Sequence, residues 1–342
     1  MCRSISIDEF LERAKETPVV DVRSPAEFAQ GHIPGAHNLP LFDNEERAEV
    51  GTLYVQKGKI QAVQKGLEIV GPKMRRLTDF AINLKSAQLL LYCWRGGKRS
   101  AAMAWLLETV GISCLTLEQG YKVYRNHVLE WFAKPLKIVL LGGFTGGGKT
   151  EILHALHVAG EQVLDLEALA NHKGSAFGGI GQAPQPTTEQ FENLIYAKII
   201  SLDPAKRIWI EDESRNVGKC SIPIQLWDQM RHAPLLCVVT HKSDRIMHLM
   251  HNYAYFDRKL LCAAIQKIEK RLGFDRCKAA ITACETGDIQ AALEICLDYY
   301  DKAYTNQLFE RFGQEWESIL PQFTPHFPLD SGQIQHLISL TI

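Results

Sequence analysis

The sequence predicts an α/β protein of two domains, the second a doubly wound parallel sheet followed by C-terminal helices. Three observations carry that prediction. The apolar run Leu89–Tyr92 ends in Cys93, a glycine-bearing turn (Trp94-Arg-Gly-Gly-Lys-Arg99) and a helix start at Ser100. A second strand–loop–helix, Lys137-Ile-Val-Leu-Leu-Gly142, runs into Gly143-Phe-Thr-Gly-Gly-Gly-Lys-Thr150 and the helical Glu151-Ile-Leu-His-Ala-Leu156. Further short apolar runs ending near Glu167, Glu211 and Thr240 alternate with helical stretches, the pattern of a parallel sheet with crossover helices. A length of 342 residues accommodates two cores, and Pro135 marks the boundary, giving domains 1–134 and 135–342.

A hydrophobic content of 46% with 23% charged residues is globular composition. The net charge of −1 excludes a grossly basic protein, so a nucleic acid would be bound by a local patch. The nine cysteines are an odd count without a Cys-x-x-Cys pair, which offers neither a zinc nor a disulfide framework. The start Met1-Cys-Arg-Ser-Ile-Ser lacks the apolar core of a signal peptide, and no apolar run approaches a membrane span. The expectation is a soluble, cytoplasmic protein of a reducing compartment, with no membrane partner.

Along the first domain, Ser6-Ile-Asp-Glu-Phe-Leu reads as a capped amphipathic helix and Pro18–Arg23 as a short buried strand ending in charge. Ser24-Pro-Ala-Glu27-Phe starts a helix, and the turn-rich Gly31–Leu39 leads to another strand. Asp21, Arg23 and Glu27 are read as ion-pairing residues that hold loops together. Asp43 to Arg76 reads as a charged helical insertion; Arg47, Lys73, Arg75 and Arg76 either contact RNA phosphates or form a solvated face. After the Cys93 loop come a core helix at Ala101–Val110, an edge strand at Ser113–Leu117, and a helix from Glu118 to Phe132.

The Cys93 loop is the first candidate site. A strand, short loop and helix start aim backbone N–H groups and a positive helix end at one point, which stabilises a thiolate. Arg99, six positions on, can close a guanidinium over an oxyanion wrapped by the loop. That suits a nucleophile meeting a sulfur, selenium or phosphorus centre; the competing reading is a buried structural cysteine. Asp21-Val-Arg-Ser-Pro-Ala-Glu-Phe28, Gly31-His-Ile-Pro-Gly-Ala36 and a strand ending in Cys93 with Arg99-Ser100 beyond its loop resemble the rhodanese family of sulfurtransferase domains. The resemblance implies a rhodanese-like first domain whose cysteine carries a persulfide or related species. Its loop is one residue longer than in typical single-domain members and is similar to that of phosphatase-like members, which implies a donor with the chalcogen attached to phosphate.

The second candidate site is the phosphate-binding loop Gly143, Thr145, Gly146, Gly147, Gly148, Lys149 and Thr150, in its required context of strand before and helix after. Glycines let backbone N–H groups wrap an anion, Lys149 adds a point charge and Thr150 can ligand magnesium. The motif specifies a di- or triphosphate and not a nucleotide. Gln162–Glu167 is a second strand ending in acids. Asn171–Thr187 is a long glycine- and proline-rich loop, expected as a substrate-facing lid through His172, Lys173, Phe177 and Gln182. At the end of the third strand, Glu211 and Asp212 are candidates to position magnesium or water, or else to anchor Arg215. If magnesium is used, Thr150 and Asp212 would hold it. Lys267, Lys270 and Arg271 share one face at helical spacing, suited to a phosphate backbone or to solvent. Asp288 to Phe312 reads as packing helices, and the tail from Trp316 is irregular.

The two halves together, including Gly181-Gln-Ala-Pro-Gln-Pro-Thr187 and Trp209-Ile-Glu-Asp-Glu-Ser-Arg-Asn216, resemble the tRNA 2-selenouridine synthases. The resemblance implies a selenotransferase and tRNA geranyltransferase. Such an enzyme alkylates a wobble-position 2-thiouridine with geranyl diphosphate and then displaces the thioether with selenium from selenophosphate. Cys93 would take the selenium, with Arg95, Lys98 and Arg99 holding the thiolate and the phosphate. Lys149, the loop amides, Glu211, Asp212 and Arg215 would serve the diphosphate, and Arg75, Arg76, Lys267, Lys270 and Arg271 the tRNA. No tightly bound cofactor is implied, and an enzyme supplying selenophosphate is a further expected partner. The alternatives are a sulfurtransferase fused to an ATP-dependent kinase acting on a small molecule, and a regulatory module with an inactive rhodanese fold. The isoprenoid channel, the tRNAs used and the oligomeric state stay open at this level.

Overall fold

The computed structural model describes residues 3–341, so Met1 and Cys2 lie outside the described residues. The chain divides into two compact units: one runs to Phe132 and takes in Glu192–Tyr196, and the other holds the remainder from Ala133.

The first unit runs β1 (Arg3–Ile5), α1 (Ile7–Arg13), β2 (Val19–Asp21), α2 (Pro25–Gln30), β3 (His37–Asn38), α3 (Asn44–Lys57), α4 (Lys59–Val70), α5 (Met74–Asn83), β4 (Gln88–Tyr92), α6 (Lys98–Glu108), β5 (Ser113–Leu117) and α7 (Gly120–Trp131). Its strands form one parallel sheet in the order β1-β5-β4-β2-β3. Ser6 caps α1, and Ser24 with Glu27 makes a complete capping box on α2, with Pro25 in the first turn. The expected edge position of Ser113–Leu117 is corrected: β1 pairs outside it, Ile5 opposite Leu117. Arg3-Ser-Ile5 has a single buried apolar residue, too little periodicity to read as a strand. The insertion is helical throughout. α4 buries Ala62, Gly66 and Val70, whereas α3 buries none of its residues. Val20, Leu89, Leu91, Met103 and Leu107 form the centre of the core beneath them.

The second unit runs β6 (Ile138–Gly143), α8 (Lys149–Val158), β7 (Gln162–Leu164), α9 (Leu166–Ala170), α10 (Thr188–Ile199, except for its Glu192–Tyr196, which group with the first unit), β8 (Ile208–Glu211), β9 (Asn216–Val217), β10 (Cys220–Ser221), α11 (Ile224–His232), β11 (Leu235–Val238), α12 (Lys242–Tyr253), α13 (Arg258–Lys267), α14 (Glu269–Leu272), α15 (Phe274–Thr286), α16 (Ile289–Phe312), α17 (Trp316–Ile319), β12 (Gln322–Phe323) and α18 (Ser331–Ser339). The main sheet is parallel, in the order β12-β11-β6-β8-β7, with the phosphate-loop strand β6 at its centre. The tail is more regular than its sequence suggests, because β12 adds to the sheet edge and α18 packs Ile334 and Leu337 into the same core as Leu141, Ile152 and Trp209. α12 to α16 make a separate helical core. Among the described residues no helix is long and apolar enough to cross a membrane.

Candidate functional site

In the first unit, β4 delivers Cys93 to a loop that is pinned to the start of α7. Tyr121 and Lys122 donate backbone N–H groups to the carbonyls of Cys93 and Trp94, at 2.8 and 3.1 Å. Gly120 makes this approach possible: at φ +61, an added Cβ would lie 2.2 Å from the Cys93 carbonyl oxygen and 2.4 Å from the Gly96 nitrogen. Below the loop, Arg23 and Asp21 are fully buried against each other, the ion-pairing role their place at a strand end predicts, and the guanidinium lies 3.8 Å from the Tyr121 ring centre.

The Cys93 sulfur is buried. Gly97 donates its N–H to Sγ at 3.2 Å, and the Ser100 hydroxyl lies 3.3 Å away. Burial pushes the thiol pKa up, but hydrogen bonding by Ser100 and Gly97 and the charge of Arg99 outweigh it and leave the pKa lowered. Burial instead raises the thiols of Cys220, Cys237, Cys277, Cys284 and Cys296, with Cys237 at about 11 and Cys296 at about 12. Of these six thiols, Cys93 is the one whose hydrogen bonds and neighbouring cation outweigh its burial. Arg99 is held on Glu27 by two hydrogen bonds of 2.6 and 3.2 Å. Arg95 and Lys98 are exposed on the same loop.

Beside Cys93 opens a cavity of about 1380 Å³, larger than the roughly 300–1,000 Å³ of ordinary small-molecule sites. Its lining divides by chemistry. Arg47, Arg95, Lys98 and Arg99 accompany Cys93, while Phe42, Val50, Val55, Leu67, Val70 and Trp105 supply apolar wall. Val55 is 84% exposed and Leu67 63%, so beyond the residues they give to the core, α3 and α4 turn further apolar side chains to this space. The site therefore suits an anionic head with an apolar chain. The ion-pairing role expected of Glu27 is met by Arg99, whereas the apolar wall, and the place of Arg47 beside Cys93, are hidden in sequence because charged helices read as solvated faces.

In the second unit, the phosphate-binding loop joins β6 to α8, with Gly146 and Gly148 at positive φ and Gly148 as the helix N-cap. Lys149 Nζ donates to the Gly143 carbonyl at 3.0 Å. Thr145 accepts from Arg245 through its carbonyl at 3.2 Å, Gly147 accepts from the Thr240 hydroxyl, and Thr150 is exposed in the first turn. The Phe327 ring lies against Gly148.

The acids at the carboxyl edge separate into two groups. Asp212, expected to position magnesium or anchor Arg215, is tied to Tyr304 at 3.1 Å and to Arg311 at 3.2 Å. Tyr304 accepts the Gly143 N–H at 2.9 Å, so α16 braces the loop instead of merely packing. Arg215 is exposed at the β9 hairpin, and the arginine that pairs with Asp212 is Arg311. Glu211 instead faces Glu167 and Glu213; one carboxylate oxygen of each lies within 4.8 Å of the others. Burial and mutual repulsion, opposed by Lys149, raise Glu167 and Glu213 to about 8 and shift Glu211 upward too.

Two further expectations are corrected. Phe177, expected to face substrate from the long loop, is buried against Tyr253 in the helical core, since an aromatic ring gains more there than in a mobile lid. Lys267, Lys270 and Arg271 do not share one helix: α13 ends at Lys267, buried Ile268 leaves helical geometry, and Lys270 and Arg271 fall on α14. All three are exposed, as are Arg75 and Arg76 on α5.

Residues 136–316 match the family described as tRNA 2-selenouridine synthase AAA domain, and residues 6–127 match the rhodanese-like domain. A tRNA 2-selenouridine synthase of Nitrosomonas europaea is 37% identical over 247 residues, covering 70% of this chain and 64% of that protein. One from a Sulfurovum species is 35% identical over 354 residues, covering 90% of this chain and 95% of that protein. The N-terminal domain of a putative ATP/GTP binding protein from Clostridium difficile 630 is 42% identical, with a TM-score of 0.34, covering 37% of this chain and 98% of that one. The matched stretch thus spans a little under two thirds of the Nitrosomonas relative's length.

Proposed function

This chain belongs to the tRNA 2-selenouridine synthase family, and from that premise we propose that it replaces sulfur by selenium at a 2-thiouridine of tRNA by way of an S-geranyl intermediate. In this reading the thiocarbonyl sulfur attacks C1 of geranyl diphosphate; the C–S bond forms, the C–O bond breaks and diphosphate leaves onto the phosphate-binding loop. Lys149 and the loop amides stabilise its charge. Alkylation turns a poor leaving group into a good one. At the Cys93 loop the selenium of selenophosphate then attacks C2 of the base, the C2–S bond breaks and geranyl thiol leaves, and water cleaves the Se–P bond to release inorganic phosphate. Arg95, Lys98 and Arg99 are assigned to the phosphate of that donor, and the exposed Arg75, Arg76, Lys267, Lys270 and Arg271 to RNA phosphates.

The observation that carries the reading is the cavity at Cys93, with a lowered thiol and five cationic side chains in its lining beside a large apolar wall. A carrier of bare sulfur needs no such wall; a geranyl thioether does. The experiment supplies purified protein with a 2-thiouridine anticodon stem-loop RNA, geranyl diphosphate and selenophosphate, and reads the nucleosides by mass. Wild type is expected to yield 2-selenouridine, Cys93→Ala to stop at the S-geranyl nucleoside, and Lys149→Ala to fail at geranylation yet convert pre-geranylated RNA. Normal conversion of pre-geranylated RNA by Cys93→Ala would overturn the assignment, and loss of both steps in Lys149→Ala would point to shared RNA binding.

A further inference from the structure

With a diphosphate taken to sit on the phosphate-binding loop, as proposed above, we propose that Glu167, Glu211 and Glu213 form a divalent-cation site of magnesium type at its edge. The placement follows from the sheet. β7 and β8 are neighbours, Leu164 opposite Ile210, so the first turn of α9 and the end of β8 bring Glu167 beside Glu211. The Glu213 N–H bonds back to the Glu211 carbonyl at 2.9 Å, a tight turn that returns the third carboxylate to the same point while Asp212 between them leaves toward Arg311.

Three carboxylates within 4.8 Å repel one another strongly in a partly dry site, and an arrangement of that kind calls for a countercharge. Lys149 is the cation whose field reaches all three, and its ammonium is already engaged with the Gly143 carbonyl. A second observation points to a ligand. Glu211 is only 2% exposed, and its Oε2 is buried without a hydrogen-bond partner. Buried polar atoms are rarely left so, because an unmatched one costs about 1–3 kcal/mol. By contrast both carboxylate oxygens of Asp212 are matched, by Tyr304 and Arg311.

The donor set is all oxygen and all carboxylate, which selects a hard divalent ion over zinc or copper. The long loop approaches the cluster with a glycine. A Cβ on Gly174 would lie 2.6 Å from a Glu167 oxygen and 2.8 Å from a Glu213 oxygen, so only bare backbone fits over these ligands. Magnesium keeps open positions for water and phosphate oxygens, and an ion here would share its remaining sites with a diphosphate held near Lys149.

The test uses the purified full chain, stripped of metal by chelation, and titrates manganese alone, read by electron paramagnetic resonance and by the thermal unfolding midpoint. Wild type is expected to bind one manganese ion per chain, to unfold at a higher temperature with it, and to release it to magnesium. Glu211→Gln and Glu213→Gln, tested separately so that one misfolded variant leaves the other to answer, are expected to weaken binding at least tenfold and to lose the thermal shift. Absence of manganese binding by wild type, with or without inorganic diphosphate, overturns the site, as does wild-type affinity in both variants. Retained manganese binding in a protein that cannot geranylate RNA would refute the functional reading and leave the cation site standing.

Discussion

Glu27 and Arg99 lie 72 positions apart and form one bidentate ion pair, so the glutamate that closes the capping box of α2 also fixes the cation of the Cys93 loop. One side chain thereby couples a helix start to a nucleophile loop. Glu27→Gln is expected to destabilise the protein by about 1–3 kcal/mol in denaturant unfolding, from loss of a charged hydrogen bond in a half-dry setting. Burial would raise the Glu27 carboxyl, but Arg99 prevails and holds it below the ordinary 4.5. Its contribution is therefore present above pH 4.5 and lost as the pH falls through the lower folded value. The variant should lack that acid-side component of the stability profile.

The thiol of Cys93 should alkylate with a pH midpoint below that of an ordinary cysteine, since its hydrogen bonds and Arg99 outweigh burial. Ser100→Ala removes the hydroxyl 3.3 Å from the sulfur and is expected to move the midpoint up and slow alkylation at neutral pH. Rates with iodoacetamide across a pH series measure both effects. An unchanged midpoint in the variant would show that Ser100 does not hold the thiolate.

Strand–loop–helix motifs were legible because they are local: the Cys93 loop and Gly143–Thr150 need only their immediate flanks to be read. What the sequence hid is nonlocal. Glu27 reaches Arg99, and Glu167 reaches Glu211 and Glu213, only through strand order in the two sheets. The apolar wall of α3 and α4 was hidden for another reason: Tyr54, Val55 and Leu67 sit among lysines and glutamates, and periodicity alone does not say that they face a cavity. Arg311 lay in a stretch read as packing, although it is Arg311 and not the nearby Arg215 that neutralises Asp212.

Arg311→Met tests that pairing. It would leave Asp212, whose side chain is 4% exposed, without its charged partner and is expected to cost about 3–5 kcal/mol of unfolding free energy. The double variant with Asp212→Asn should lose less than the sum of the two single changes, because neither side chain then leaves a buried charge behind. Additive losses would show that the two residues act independently.

Gly51 lines the cavity from within α3, and a Cβ there meets nothing closer than Arg47, at 3.8 Å. Gly51→Leu is expected to keep or raise stability, by up to about 1 kcal/mol from helix propensity, while occupying space beside Cys93. If the cavity takes the geranyl chain, KM for S-geranylated RNA should rise several-fold with little change in thermal midpoint. An unchanged KM would place the chain elsewhere.

The outer edge of the phosphate-loop sheet has a bearing on how this protein is made. β12 comes from residues 322–323, yet it covers the flank of β11, 84 residues earlier in the chain. A nascent chain leaving the ribosome must therefore carry β11 as an unpaired strand edge until those residues emerge, and such edges recruit other strands. The dependence on chaperones during synthesis should accordingly fall on the second unit, with shortening of the chain ahead of Gln322 making that exposure permanent.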